Sequence, residues 1–242
     1  MSKKQINITK ASGKVVPFSA KKLIQSLQRA GAPEDVASSI AETVANTVSE
    51  GMSTKKIYRK AFSLLRSQSG PFAARYHLKA AIMELGPSGY PFEKFIGEIL
   101  KQLGYDVEVG KIVRGRCVKH EIDVIAQKGK HHFMIECKYH NEPGVFSDVK
   151  VPLYIQARFK DIESEWTLIP GHENKFHQAW VVTNTRFSTD ALQYGTCAGL
   201  KMLSWDYPAK DSLKDLIDNM GLYPLTCLTT LTKAEKKTLL DN

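Results

Sequence analysis

Cysteine is scarce in this chain: Cys117, Cys137, Cys197 and Cys227 are the only four, and no two stand in a C-x-x-C arrangement. Their scatter suggests neither a zinc ribbon nor a disulfide framework. Long apolar runs are also missing, and nothing approaches the roughly 20 residues of a spanning helix, so no membrane partnership is expected. The start, Met1-Ser2-Lys3-Lys4-Gln5, lacks the apolar segment of a secretory signal, and a cytoplasmic location is the expectation. Acidic side chains are short at the beginning of the chain. Residues 1 to 90 hold 14 lysines and arginines against 5 acids, residues 91 to 210 hold 16 against 15, and residues 211 to 242 hold 4 against 5. The formal net charge of +9 therefore resides in the first 90 of 242 residues, which predicts two domains, the first attracted to polyanions.

What the second region does contain is a charged hairpin. Ile122, Val124 and Ala126 alternate with Asp123, Ile125 and Gln127, the stretch Gln127-Lys128-Gly129-Lys130 reads as a turn, and Phe133 to Lys138 reads as the partner strand. Period-two alternation puts Glu136 and Lys138 on one face, and the right register brings Asp123 beside them. Two carboxylates suit a partly hydrated divalent ion that activates water at a phosphodiester, and a lysine there meets charge developing on the phosphorus oxygens. Upstream, apolar residues at 92, 95, 96, 99, 100 and 103 form a helical stripe closed by Gly104, with Glu98 on the same helix. Downstream, Asp148 to Phe159 reads as a helix carrying Gln156.

The order of helix with Glu98, strand, Asp123 strand, Glu136-Cys137-Lys138 strand and helix with Gln156 resembles the PD-(D/E)XK nuclease core, in its Mrr-like restriction-endonuclease branch, over residues 91 to 208. The resemblance implies that Asp123 and Glu136 are ligands of Mg2+ or Mn2+, that Lys138 is the catalytic lysine, and that Glu98 and Gln156 are the helix acid and the polar residue after the core. It also implies DNA as substrate. No proline precedes Asp123, where the family name would have one. The strand Phe176 to Asn184, a helix capped by Ser188 and the strand Lys201 to Trp205 follow as they do in that family. Thr183, Asn184 and Thr185 read either as residues facing DNA or as an ordinary turn and cap.

In the first region, strands Gln5 to Thr9 and Val15 to Phe18 flank the turn Ala11-Ser12-Gly13-Lys14. Helices follow from the Ser19 cap, from Pro33 to Gly51, from the Ser53 cap and over Phe72 to Leu85. The residues Ile8-Thr9-Lys10, Gly13 to Ser19, Lys22-Leu23, Ser53-Thr54 with Ile57, and Ala74-Arg75-Tyr76 resemble the ATP-cone, a nucleotide-sensing module, over about residues 5 to 85. That resemblance implies ATP or dATP beneath the β cap, with Lys10 and Lys22 on phosphates, Val16 against the base and Thr54 near the nucleotide. The first turn, Lys10-Ala11-Ser12-Gly13, keeps the lysine and glycine of the family pattern and lacks its arginine and acid. The alternative reading of this basic face is direct attraction for DNA backbone.

His120, His131, His132 and His140 do not have zinc-site spacing and are expected to be exposed, with His120 at the edge of the hairpin site. The cluster Gly86-Pro87-Ser88-Gly89-Tyr90-Pro91 is the expected boundary. The fold expectation is α/β, in three parts: residues 1–87 as a small β cap with four helices, 88–210 as a mixed central sheet flanked by helices, and 211–242 as a helical tail against the second domain. The function expected is metal-dependent DNA endonuclease, regulated by ATP or dATP. Its rivals are a nucleotide sensor that only grips DNA and a nuclease for branched or damaged DNA. Two strands to cut argue for a homodimer.

Overall fold

The computed structural model describes residues 5–172 and 174–240. Contacts group the described residues into two units, one formed by those up to Glu84 together with those from Tyr223 on, the other by Leu85–Leu222.

In the first unit, β1 (Asn7–Thr9) pairs antiparallel with β2 (Val15–Pro17) and parallel with β3 (Met52–Ser53), a strand too short to be seen in the sequence pattern. Gly13, at φ 77°, makes the turn between β1 and β2. Helix α1 (Ala20–Arg29) starts at Ser19, whose hydroxyl accepts from the Lys22 N–H at 3.3 Å, and stops before Gly31. Helix α2 (Glu34–Ala45) follows Pro33 with two acids in its first turn, where the positive helix end favours them. Ser53 caps α3 (Thr54–Gln68). The expected fourth helix is two pieces, α4 (Gly70–Tyr76) and α5 (Leu78–Ile82), which break at His77. Leu27, Ala37, Val44, Ala61, Leu65 and Ala73 are wholly buried between these helices.

The second unit opens with α6 (Tyr90–Gln102), which buries Phe92, Phe95, Ile96, Ile99 and Leu100. Strands β4 (Asp106–Arg114), β5 (Lys119–Lys128) and β6 (His131–Lys138) run antiparallel in succession. After β7 (Phe146–Ser147) and α7 (Lys150–Trp166) come β8 (Phe176–Thr183), β9 (Arg186–Phe187), α8 (Thr189–Cys197), β10 (Lys201–Leu203) and α9 (Leu213–Met220). β8 lies parallel to β6, and β10 parallel to β8, so the mixed sheet has the order β10-β8-β6-β5-β4. Ile155, Phe159, Ile162 and Trp166 of α7 pack on one face with Met134, Ala179 and Val181.

The strict alternation expected of Ile122, Val124 and Ala126 does not hold through Asp123. Ile122 and Ile125, three residues apart, both pack in the α7 cluster. On the neighbouring strand, Val113 joins that same cluster while Val107 and Val109 reach toward Gly97 of α6. Between them stands Gly110 at φ 66°, and the register passes from Val109↔Val124 to Lys111↔Ile122 without pairing it. The glycine supplies the backbone turn that carries both strands from one face to the other.

The expected 211–242 tail is two pieces. Its first helix, α9, buries Leu213 and Ile217 and packs on α6. The rest returns to the first unit: the Thr226 hydroxyl, in a 3-10 turn over Leu225–Cys227, donates to Ala81 O at 2.7 Å, and Arg75 lies over the Tyr223 ring. Helix α10 (Lys233–Leu240) starts from a reciprocal Thr232–Glu235 cap. Its Lys236 is buried, donates to Thr226 O at 2.6 Å and lies 3.9 Å from Glu84. No helix among the described residues is long and apolar enough to cross a membrane.

Candidate active site

The hairpin closes through Gly129 at φ 56°, with Lys128 opposite His131 and Val124 opposite Ile135 as the last pair of the ladder. Beyond that pair the strands stop exchanging backbone bonds. The Cys137 N–H donates instead to Asp123 Oδ2 at 2.7 Å, which fixes the carboxylate beside β6. Asp123 is thus released from pairing on the β6 side by the end of the ladder and on the β4 side by Gly110.

Glu136 is the buried member, 5% exposed, and an uncompensated carboxylate there would be costly. Two cations answer it. Lys138 Nζ lies 2.7 Å from Oε1, and Arg158 Nη1 lies 2.6 Å from Oε2. The second guanidinium nitrogen of Arg158 donates to Glu121 O, so α7 is tied to both strands at this point. Tyr154, one turn earlier on α7, lies under the same guanidinium at 5.4 Å.

A third acid belongs to the group, and it is Glu93 rather than Glu98. Burial first, then the negative charges of Asp123, Glu121 and Glu136, push the Glu93 carboxyl up to about 7, against the pull of Lys138. Burial and Glu136 push Asp123 up to about 6, opposed by the Cys137 N–H, Lys138 and Arg158. Glu98 lies in an exposed pair with Lys101 at 2.7 Å. The two glutamates are five residues apart on α6, about 140° around its axis, so one cannot stand in for the other. Among the described residues the three carboxylates are not drawn within 4.8 Å of one another, the spacing at which one ion would take all three. Asp123 and Glu136 nevertheless suit magnesium, which uses one or two carboxylates and keeps its waters.

Gln156 sits on the opposite flank of the α7 buried stripe from Arg158, with its Oε1 buried and unbonded. Arg158 went unread in the sequence, although its spacing from Tyr154 marks a one-turn pair. Thr183, Asn184 and Thr185 are buried, so they do not form a surface for DNA. They hold the exit of β6: Thr183 donates to Lys138 O at 2.7 Å, and the Asn184 side chain bonds both backbone groups of His140. His120 pairs with Asp161 of α7 at 2.7 Å and holds that carboxyl well below the usual range. Asp161 in turn accepts from the Cys117 and Val118 N–H groups, fixing the loop between β4 and β5; its Arg116 is exposed and lines a groove that Arg158 also lines, and Arg114 and Lys119 are exposed at the strand ends on either side of that loop. His131 is exposed as expected, His140 is half-buried against Ser147, and His132 is buried, against expectation.

In the first unit, the parallel register Thr9↔Ser53 brings the next residues, Lys10 and Thr54, to the same end of the small sheet. Val16 stands opposite Ile8, half-buried, and Lys22 is exposed in the first turn of α1. A pocket in this unit is lined by Val44, Thr47, Met52, Lys56, Ile57 and Lys60, none of them among those four.

Residues 86–207 match a family described as restriction endonuclease, and residues 6–78 match the ATP cone domain. An uncharacterized protein of Archaeoglobus fulgidus is 39% identical over 133 residues, 55% of this chain and 71% of that protein. A crystal structure of a protein of unknown function, AF1548, is 37% identical with a TM-score of 0.52, over 60% of this chain and 73% of that one.

Proposed function

Because the chain belongs to the restriction endonuclease family over residues 86–207 and carries an ATP cone domain over residues 6–78, we propose that it is a metal-dependent DNA endonuclease whose cutting is set by ATP or dATP. The observation that carries the reading is the convergence of Asp123, Glu136 and Lys138 at the open end of the β5–β6 ladder. Asp123 and Glu136 would hold Mg2+ or Mn2+, and Glu93 adds the negative charge that favours a divalent cation there. Such an ion, when bound, supplies a water made acidic enough to attack phosphorus.

The chain's own residues prepare the rest. The Cys137 N–H orients the Asp123 carboxylate, and Arg158 holds Glu136 from the side away from Lys138. Lys138, a third exposed and reachable by a substrate, offers its ammonium to the phosphoryl oxygens as negative charge grows on them. Arg114, Arg116 and Lys119 would meet backbone phosphates without reading sequence. In the first unit Lys10, Val16, Lys22 and Thr54 are proposed to take the triphosphate and base.

Plasmid cleavage tests this. Wild type with Mg2+ or Mn2+ is expected to cut unmodified, modified or branched DNA, and EDTA, Lys138→Ala or Asp123→Asn to abolish cutting while DNA binding remains. Glu93→Gln should slow cutting by about tenfold or more, a ligand-environment effect, and Glu98→Gln should not. Undiminished cutting by Lys138→Ala would remove the lysine, and with it this reading of the site.

A further inference from the structure

The end of β6 remote from Glu136 carries a second group of metal-binding side chains, and it contains no acid. His132, second residue of β6, is 6% exposed. Its register partner on β8 is His177, and His172 stands in the segment leading into β8. One ring nitrogen from each lies within 4.8 Å of the others, the one such trio of histidine, cysteine or acid among the described residues. The His132 Nδ1 and His177 Nδ1 atoms are 3.3 Å apart. Two imidazole nitrogens on one tetrahedral zinc, each at about 2.0–2.1 Å, stand about 3.3 Å from one another.

The surroundings favour a ligand set over a charge switch. Burial, followed by His177, His172 and Lys175, holds His132 down to about 3, and burial lowers His177 as well. Burial thus disfavours the charged form of both rings, and the neutral imidazole is the form that offers a lone pair to a metal. Trp166 of α7 covers the group, its ring 4.0 Å from that of His132. Lys175 Nζ lies 2.8 Å from His172 Nε2, and its charge would oppose a cation, while Glu163 of α7 acts on His177 in the opposite sense.

We propose that His132, His172 and His177 bind a transition-metal ion, zinc foremost, which fastens the segment before β8 to the N-terminal ends of β6 and β8. Three imidazoles without a carboxylate select zinc, cobalt, nickel or copper over magnesium, so this ion would differ in kind from the one proposed for Asp123 and Glu136. The two lie apart: four residues of strand separate His132 from Glu136, about 13 Å.

Metal-stripped full-length protein titrated with Co2+ alone tests the site. One equivalent is expected to give the visible absorption of a tetrahedral nitrogen-bound ion, to be displaced by Zn2+, and to persist in Asp123→Asn. His172→Gln and His177→Gln should each lose the absorption and the rise in thermal midpoint that Zn2+ gives wild type, with far-ultraviolet circular dichroism unchanged. Should His177→Gln fail to fold, His172→Gln, outside the strands, decides alone. No absorption in wild type, absorption surviving in the His172 variant, or absorption lost in Asp123→Asn would each overturn the proposal, the last by returning the ion to the nuclease site.

Discussion

Glu93 and Asp123 share one sign of charge in a poorly hydrated corner, and each keeps its proton to higher pH than an exposed acid, Glu93 to about 7 and Asp123 to about 6. A carboxyl whose pKa rises on folding binds its proton more tightly in the folded state. Its contribution to stability is complete below the ordinary carboxylate range and is lost as pH climbs through the raised value. Without divalent cations the thermal midpoint is therefore expected to fall between about pH 4 and pH 7. Glu93→Gln should flatten that fall, and Mg2+ should raise the midpoint more at pH 8 than at pH 5. Melting curves across that range, with and without Mg2+, check both; a midpoint that Glu93→Gln leaves equally pH-dependent would show that Glu93 is not the strained acid. The same residue marks a limit of the sequence. Glu93 and Glu98 sit on one amphipathic helix, and which of them meets Asp123 depends on which end of α6 crosses the end of the ladder. That is a tertiary fact, and periodicity does not contain it.

The elements themselves were largely legible. The hairpin, the helix before it, the helix after it and the existence of the strand at β8 follow from alternation, stripes and caps, because each is specified by neighbours a few residues away, whereas the parallel pairing of β8 with β6 is a long-range contact. What escaped was the change of face at Asp123, since a strand that switches sides looks in sequence like one that does not. Gly110 makes the switch affordable in conformational terms, and nothing lies within 4 Å of where its Cβ would be, so its role is backbone rather than packing. Gly110→Ala is expected to cost about 1 kcal/mol or more, the penalty of a left-handed backbone with a side chain, and to slow cutting by tilting Asp123 out of line. Urea unfolding reads the first effect and plasmid cleavage the second. A variant as stable and as active as wild type would mean that β4 does not set the carboxylate. The burial of His132 escaped for a related reason. Its companions His172 and His177 are 40 and 45 residues further on, and spacing rules see only ligands that are near in sequence.

For the whole molecule, the two family matches fall on separate stretches of chain, and the positive charge is concentrated before residue 91, on the side of the ATP cone match. If nucleotide sets cutting, rates measured with no nucleotide, with ATP and with dATP, at fixed free Mg2+, are expected to differ by several-fold. The free ion must be fixed because triphosphates sequester it. Equal rates in all three would leave the ATP cone without a part in cutting. The path of the backbone bears on how such a protein comes into being. Since Thr226 and Lys236 pack with Ala81 and Glu84, the restriction-endonuclease unit is an insertion, begun and ended within the other. During synthesis it emerges whole before the stretch from Tyr223 on, which completes the first unit, exists. A newly made chain would thus hold Leu85–Leu222 complete before the stretch from Tyr223 on is there to close the unit around Ala81 and Glu84.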